Sequence, residues 1–167
     1  YTGSTVSFDP AVDLMPNTTY TATITNGAKN VAGTAMANNF TWSFTTQAFV
    51  SPFVVSTDPA NQAMNVVINK VIRATFSVPM NPLTITAANF MVKNGLLAVP
   101  GIVSYDELTN TATFTPSTPL LSNTVYTSTI TTGAKNTLGN PLLGNYTWNF
   151  TTINTTPPAV ILTDPLN

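Results

Sequence analysis

Hydrophobic and polar residues alternate with a period of two along most of the chain. The clearest alternating runs are Ile72 to Val78, Thr111 to Thr115, Tyr126 to Thr131 and Tyr146 to Thr151. A period of two places successive side chains on opposite faces of a β-strand. Further strands are expected near residues 53–57, 89–93 and 99–105, and turn signals such as Asn94-Gly95 separate the strands.

These elements predict an all-β fold with little helix. Thirteen prolines and many β-branched residues disfavour helices. About seven short strands in roughly 100 residues is typical of an immunoglobulin-like β-sandwich. We expect the inner faces to bury the large side chains of the alternating runs. The predicted core residues are Phe76, Phe114, Tyr126, Ile130, Trp148 and Phe150.

The chain also repeats itself at an offset of 106 residues. Thr5 to Thr46 coincides without a gap with Thr111 to Thr152, and 22 of the 42 positions are identical. This period is longer than a solenoid unit and close to the size of one domain. The sequence therefore predicts tandem immunoglobulin-like sandwiches, with about seven strands in each 106-residue repeat.

The repeat sets the expected domain boundaries. The expected divisions are the C-terminal half of a repeat at 1–47, a linker at 48–52, a complete repeat at 53–152, a linker at 153–158 and the first strand of a third repeat at 159–167. The first half-repeat would contain three strands, at Thr5–Asp9, Thr18–Asn26 and Asn39–Thr46. Without opposing strands its aromatic face would be uncovered, so we expect a preceding part of the same chain or an adjacent subunit in a fibre to complete it.

Several motifs of the complete repeat resemble those of a known family. These motifs are Val54–Asn61, Phe76–Met80, Phe114–Leu120, Tyr126, Ala134–Asn140 and Trp148–Thr152. They are similar to the bacterial Ig-like domain that occurs in tandem in S-layer proteins, adhesins and other surface proteins. The resemblance implies a structural module of a secreted or cell-surface protein that acts as a stalk, fibre or surface-layer spacer. Its partners would be neighbouring Ig-like repeats of the same or adjacent chains.

One turn departs from the pattern of that family. The family usually has an acidic residue where this chain has Lys135-Asn136 and Lys29-Asn30. An ionic role for the turn is therefore not expected, while the fold expectation is unchanged.

Composition argues against several other classes of function. Charged residues make up 7% of the chain and the net charge is -1, so no electrostatic footprint for nucleic acid is present. No apolar run approaches 18 residues, so membrane insertion is not expected. The chain has no cysteine and no histidine, and it therefore lacks thiolate chemistry and the commonest general base and metal ligand.

The carboxylates do not predict an active site or a metal site. The six acidic residues are Asp9, Asp13, Asp58, Asp106, Glu107 and Asp164. An acid–base pair needs two carboxyls that converge on one pocket, and calcium needs six to eight oxygens with several carboxylates together. The sequence indicates neither arrangement. We expect a protein that is not an enzyme and has no catalytic residue, metal ligand or cofactor.

Threonine-rich strands support an alternative function. Threonines occupy alternate positions in both repeats: Thr19, Thr21, Thr23 and Thr25, then Thr127, Thr129 and Thr131. Such a row of hydroxyls would serve a module that binds carbohydrate, ice or another surface ligand. Threonine also favours strands and suits a solvent-facing sheet without a ligand. The repeated aromatics Phe40, Trp42 and Phe44 fit an inner sandwich face better than a sugar-stacking platform.

Overall fold

The computed structural model describes residues 4–157 and 159, and the chain divides into two compact units between Val50 and Ser51. The expected first strand of a third repeat, at 159–167, lies almost entirely outside the described residues. The regular secondary structure of the described part is almost entirely β-strand, with a single short 3-10 helix at Pro82–Thr84. The expectation of an all-β fold is confirmed.

The first unit contains a two-stranded antiparallel sheet. Strand β1 spans Thr19–Ile24 and β2 spans Phe40–Thr45. The register pairs Thr19 with Thr45 and Ile24 with Phe40 at the two ends of the ladder. Tyr20, Ala22 and Ile24 alternate with threonines along β1, so the sheet has one apolar face and one hydroxyl face.

The second unit contains nine strands in two sheets. The strands are β3 Val54–Asp58, β4 Ala63–Val66, β5 Ile72–Phe76, β6 Phe90–Asn94, β7 Leu97–Ala98, β8 Gly101–Asp106, β9 Thr111–Pro116, β10 Val125–Ile130 and β11 Tyr146–Thr152. One sheet has the order β4-β11-β10-β6-β7 and the other has the order β3-β5-β9-β8. Every pair is antiparallel except β11 with β4, which is parallel.

All seven strands expected from the sequence are present in the second unit, and two short strands accompany them. The first is β4, whose Ala-Met-Asn-Val sequence has no strict alternation. It forms because β11 offers it a free edge. The second is β7, two residues long, which pairs back onto β6 after a turn at Gly95 with a φ of 58°. Glycine adopts this left-handed conformation without steric penalty.

The hydrophobic core lies between the two sheets of the second unit. All six predicted core residues are at most 3% exposed. Phe90 of β6 contacts Phe114 of β9 across the sandwich, with ring centroids 5.8 Å apart. The alternation in the sequence therefore identified the faces that turn inward.

One expected strand of the first unit is not formed. Residues 5–9 do not form a regular strand, and in the described part of this unit the ladder consists of β1 and β2. The equivalent segment of the second unit is β9, which pairs with β5 on one side and β8 on the other. The described first unit has no counterpart of either neighbour. Without such neighbours, residues 6–9 do not extend into a ladder.

Local contacts nevertheless recur between the two units. The Tyr20 hydroxyl accepts a hydrogen bond from the Met15 amide at 2.9 Å, and the Tyr126 hydroxyl accepts one from the Leu121 amide at 2.8 Å. Thr46 donates to the Met15 carbonyl at 2.6 Å, as its counterpart Thr152 does to Leu121. Sequence identity at the 106-residue offset therefore specifies the same local structure in both units.

Candidate functional site

Three of the threonines singled out in the sequence lie on the exposed face of β1. Thr19, Thr21 and Thr23 lie opposite Thr45, Ser43 and Thr41 of β2. Their hydroxyl oxygens are within hydrogen-bonding distance across the strands, at 2.9, 3.2 and 3.0 Å. We call these six residues the hydroxyl face. It consists of three cross-strand pairs in two adjacent rows of hydroxyls, whereas the sequence indicated a single row.

The corresponding face of the second unit is less regular. Thr129 lies opposite Thr147 with the hydroxyl oxygens 3.2 Å apart, whereas Thr127 lies opposite Asn149. On the other side of β10, Lys93 and Met91 of β6 follow. The run of hydroxyls is therefore interrupted on both sides, and the two units do not carry the same surface.

Thr25 and Thr131 lie outside the strands that carry the other threonines. Thr131 donates through its hydroxyl to the Asn89 side chain at 2.7 Å and accepts from the Gly133 amide at 3.2 Å. Thr25 offers its carbonyl to the Ala28 amide at 3.1 Å. Both residues shape turns, so neither extends the row of threonines on the strand that precedes it.

Two carboxylates of the second unit, Asp58 and Asp106, have structural partners. Asp58 lies 2.7 Å from the Lys70 ammonium and 3.8 Å from the Arg73 guanidinium, a half-exposed cluster that the sequence analysis did not identify. Asp106 accepts hydrogen bonds from the Thr109 hydroxyl and the Leu108 amide, and these bonds lower the pKa of its carboxyl. Within residues 4–157 and 159, no three His, Cys, Asp or Glu side chains converge as a metal site would require.

Tyr105 occupies a structural position next to the core. Its hydroxyl accepts a hydrogen bond from the Met80 amide at 2.8 Å and donates to the Asn110 side chain at 3.2 Å. Burial raises the pKa of this phenol, because the anion loses hydration there. Tyr105 therefore joins β8 to the loop that follows β5.

The turn that lacks the acidic residue of the family pattern is held by an amide. The Asn136 side-chain oxygen accepts from the Leu138 amide at 3.0 Å and from the Asn140 amide at 2.8 Å. Asn30 makes the same pair of bonds to Ala32 and Thr34 in the first unit. An asparagine oxygen therefore fills the acceptor role without a charge.

The apolar face of the first unit is uncovered. Val6, Phe8, Leu14, Tyr20, Trp42 and Phe44 line a groove of about 600 Å³, and we call this surface the open face. Phe8 is 88% exposed, and Trp42 and Phe44 are each 43% exposed. No charged residue is among the groove's lining residues. A contiguous apolar surface of this kind corresponds to the inner face of a β-sandwich.

The second unit shows what covers the same residues in a complete sandwich. Phe114, the counterpart of Phe8, is 2% exposed, and Trp148, the counterpart of Trp42, is 1% exposed. There β6 pairs with the free side of β10, β4 pairs with β11, and the second sheet packs across the face. The sequence analysis predicted this uncovered surface from the repeat alone.

The pair formed by β4 and β11 joins the second strand of the second unit to its last strand. Ala63 aligns with Phe150 and Val66 with Thr152 in a parallel register. The Gln62 amide donates to the Asn149 carbonyl at 2.7 Å, and the Ile153 amide donates to the Val66 carbonyl at 2.8 Å. We call β4, β11 and these flanking bonds the terminal-strand pair. Hydrophobic alternation does not predict this pair, because β4 is short and irregular.

Comparison with known proteins agrees with this architecture. A family model described as a bacterial Ig-like domain matches residues 1–46 and again 50–152. No curated protein matches the chain in sequence. In the described residues no helix is long and apolar enough to cross a membrane.

Solved structures show related folds at modest similarity. The N-terminal part of the bacterial S-layer protein SbsC is 26% identical over 66% of this chain and 25% of its own, with a TM-score of 0.49. A longer SbsC structure is also 26% identical, and there the matched part spans only 14% of that chain, with a TM-score of 0.47. The methionine-rich copper resistance protein PcoC from Escherichia coli is 15% identical over 62% of this chain and 99% of its own, with a TM-score of 0.51.

The likeness to PcoC extends to the fold alone. The family match, by contrast, spans both units. In each unit it includes the last strand, β2 or β11, and the turn held by Asn30 or Asn136. The chain therefore belongs to the bacterial Ig-like domain family.

Proposed function

We propose that the chain is a load-bearing spacer module of a secreted or cell-surface bacterial protein, part of a stalk, fibre or surface layer. Membership of the bacterial Ig-like family supports a structural role at the cell surface. The low charge and the absence of a converging set of catalytic or metal-binding groups in the described residues are consistent with a mechanical role. The expectation that the protein is not an enzyme is part of this proposal.

The parallel pairing of β4 with β11 is the main support for this proposal. Tension that enters at the start of the second unit loads β3 first and, once β3 has separated from β5, pulls β4 toward its N-terminal end. Tension that leaves after β11 pulls that strand toward its C-terminal end. Because the strands are parallel, these forces slide them past each other in shear. The hydrogen bonds between them then share the load and must break together.

This arrangement resists force more than the energy of its bonds alone implies. A single backbone hydrogen bond contributes a net of about 0.5–1.5 kcal/mol to stability. An end-loaded antiparallel hairpin would lose such bonds one at a time, whereas the terminal-strand pair loses them in one step. Forced unfolding depends on the unfolding rate, so a barrier concentrated in one step extends the lifetime under load.

A pair of substitutions at Ile153 tests the proposal. Ile153→Pro removes the amide that donates to the Val66 carbonyl, whereas Ile153→Ala keeps that amide and removes more of the apolar side chain than the proline variant does. Under end-to-end tension in single-molecule force measurements, we expect the proline variant to unfold at lower force than the alanine variant. Equal unfolding forces for the two variants would contradict a load-bearing terminal-strand pair.

A second candidate function is an adhesive module for carbohydrate or ice. The three cross-strand pairs of the hydroxyl face favour this function, because they form two adjacent rows of exposed hydroxyls. Each cross-strand pair, however, uses one hydroxyl hydrogen internally, and the array is interrupted in the second unit. A glycan array and an ice-affinity assay on the protein and on Thr21→Val test it. Binding that this variant abolishes would support adhesion, and no binding in either assay would leave the hydroxyl face as a solvated surface.

A further inference from the structure

We propose that β3 is a tension-release strand. Under end-to-end load it separates from β5 at lower force than the terminal-strand pair breaks, and the rest of the second unit stays folded. This inference rests on the proposed role under tension and adds a reversible step before the main rupture. A stalk of such units lengthens under moderate load without losing its hydrophobic cores.

The position of β3 exposes it to load before any other strand of the second unit. It is the first strand of that unit and lies at the edge of the sheet with the order β3-β5-β9-β8. Among the described residues its ladder is the antiparallel one with β5, which runs from Val54 opposite Phe76 to Asp58 opposite Arg73. Tension that enters before Val54 therefore reaches this ladder before it reaches β4.

β3 contributes little to the core. It supplies one residue of the buried cluster, Val54 at 9% exposure, whereas β5 supplies three that are at most 2% exposed. Three of the other four side chains of β3 are exposed. The flanking Pro52 and Pro59 are buried, which keeps the strand docked at rest. A segment with few buried apolar contacts opens locally at a lower free energy than the whole domain.

The pairing of β3 with β5 is also irregular. Its register shifts between Val54 and Ser56. Where the chain enters the strand, the Ser77 amide donates to the Phe53 carbonyl at 2.9 Å, and the Phe53 amide donates to the Ser77 hydroxyl oxygen at 3.1 Å. We call these two contacts the entry bonds. At the other end, the ion pairs of Asp58 are half-exposed and hold the strand weakly, because water screens them.

The part of the second unit that remains keeps both of its sheets. β5 retains its ladder with β9, and the sheet that contains β4 and β11 retains all five strands. The contact of Phe90 with Phe114 across the sandwich does not involve β3. Because the core stays closed, β3 can pair again with β5 without the formation of a new core. The step is therefore reversible.

The two steps under load differ clearly in length. Release of β3 frees the nine residues 54–62 ahead of β4. A fully extended residue spans at most about 3.3–3.6 Å, so the first step adds at most about 30 Å. The main rupture frees residues 63–152, about ten times as many. A force trace therefore distinguishes the release of β3 from the unfolding of the sandwich.

Two attachment geometries on the 167-residue chain test the proposal. Pulling between cysteines introduced at positions 49 and 154 loads β3, whereas pulling between 60 and 154 bypasses it. We expect a short reversible step before the main rupture in the first geometry and the main rupture alone in the second. A short step in both geometries, or in neither, would overturn the proposal.

A variant of the entry bonds makes the test specific. Ser77→Ala removes the hydroxyl acceptor of one entry bond and keeps the amide that donates the other. Loss of one hydrogen bond should raise the opening rate of β3 about two- to tenfold and leave the main rupture unchanged. The matched variant Thr129→Ala removes a hydroxyl that pairs with Thr147 on other strands, and it should change neither step. Equal effects of the two variants would contradict the assignment of the short step to β3.

Hydrogen exchange without load gives an independent measurement. The Ser77 amide donates to Phe53 and the Thr131 amide donates to Asn89, each at 2.9 Å. Local opening of β3 should make the Ser77 amide exchange faster than the Thr131 amide, and equal protection would contradict a weakly held strand.

The outcomes for β3 and for the load-bearing role can be separated. The load-bearing role predicts a stronger main rupture for attachment at 60 and 154 than at 67 and 154, and that comparison does not involve β3. Equal main ruptures in that comparison, together with a short step for attachment at 49 and 154, would contradict the load-bearing role and support the release of β3.

Discussion

Trp42 and Trp148 occupy the same position of the same strand in two successive repeats, yet Trp42 is 43% exposed and Trp148 is 1% exposed. Both are paired in identical register, Trp42 with Ala22 and Trp148 with Ser128. The local structure around the two tryptophans is therefore the same. They differ in burial because further strands cover Trp148 and not Trp42. This contrast makes the two tryptophans internal controls for each other.

Replacing each tryptophan with alanine should have very different effects. Trp148→Ala should cost about 3–5 kcal/mol, because it removes a fully buried ring and leaves a cavity in the core of the second unit. Trp42→Ala should cost much less, because water already reaches that ring. Denaturant unfolding followed by circular dichroism measures both. A stability of the second unit unchanged by Trp148→Ala would contradict the core assignment.

Tyr105→Phe should destabilise the second unit by about 1–2 kcal/mol, because the Met80 amide loses its acceptor. The raised pKa of Tyr105 also predicts a pH dependence. The folded state holds the phenolic proton more tightly than the unfolded state does. The stability that the raised pKa of Tyr105 contributes is therefore complete below the unfolded-state pKa of about 10. It is lost as pH rises through the folded-state pKa.

The alkaline part of this prediction has its own control. Stability of the wild-type chain should fall more steeply than that of Tyr105→Phe as pH rises above about 10. Urea midpoints measured between neutral and alkaline pH would show the difference. Parallel profiles would mean that the Tyr105 phenol has the same pKa in the folded and unfolded states.

Asn136→Ala should cost about 1–3 kcal/mol, because the amides of Leu138 and Asn140 lose a buried acceptor. Asn136→Asp should retain most of the stability at neutral pH, since a carboxylate accepts both bonds. The equivalent Asn30→Ala should cost less, because that turn is exposed. Thermal unfolding of the three variants tests the order, and equal losses at positions 30 and 136 would show that burial does not control the cost.

Calcium should not stabilise the protein. Asp58 is already paired with Lys70 and Arg73, Asp106 with its own turn, and no further acidic cluster exists among the described residues. A ligand that binds the native state raises its stability by mass action, so the Tm in calcium and in chelator should agree. A rise of several degrees in calcium would reveal a site formed by other oxygens.

Much of the fold followed from alternation and from the repeat, and the exceptions have physical reasons. Alternation predicted that Phe76, Trp148 and Phe150 turn inward, because a sandwich buries every second residue. It gave no sign of β4, which is stabilised by the edge of β11 and not by its own sequence. The segment at residues 5–9 has strand propensity, but the described first unit has no counterparts of β5 and β8 beside it, so propensity alone misassigned it.

Of the candidate surfaces, too, only some could be predicted from the sequence. The open face was predicted because the repeat shows which partners the first unit lacks. The cross-strand hydroxyl pairs of the hydroxyl face were not, because they depend on the register between β1 and β2. The Asp58 cluster also depends on a long-range pairing, in which β3 aligns Asp58 with Arg73 of β5.

The direction of pulling tests the load-bearing claim most directly. The chain has no cysteine, so single attachment points can be introduced without interference. Attachment at positions 60 and 154, which bypasses β3, loads the terminal-strand pair in shear, and attachment at 67 and 154 peels the same two strands apart from one end. The account predicts a clearly higher unfolding force for the first geometry, because the same bonds then break together. Equal forces in the two geometries would contradict it.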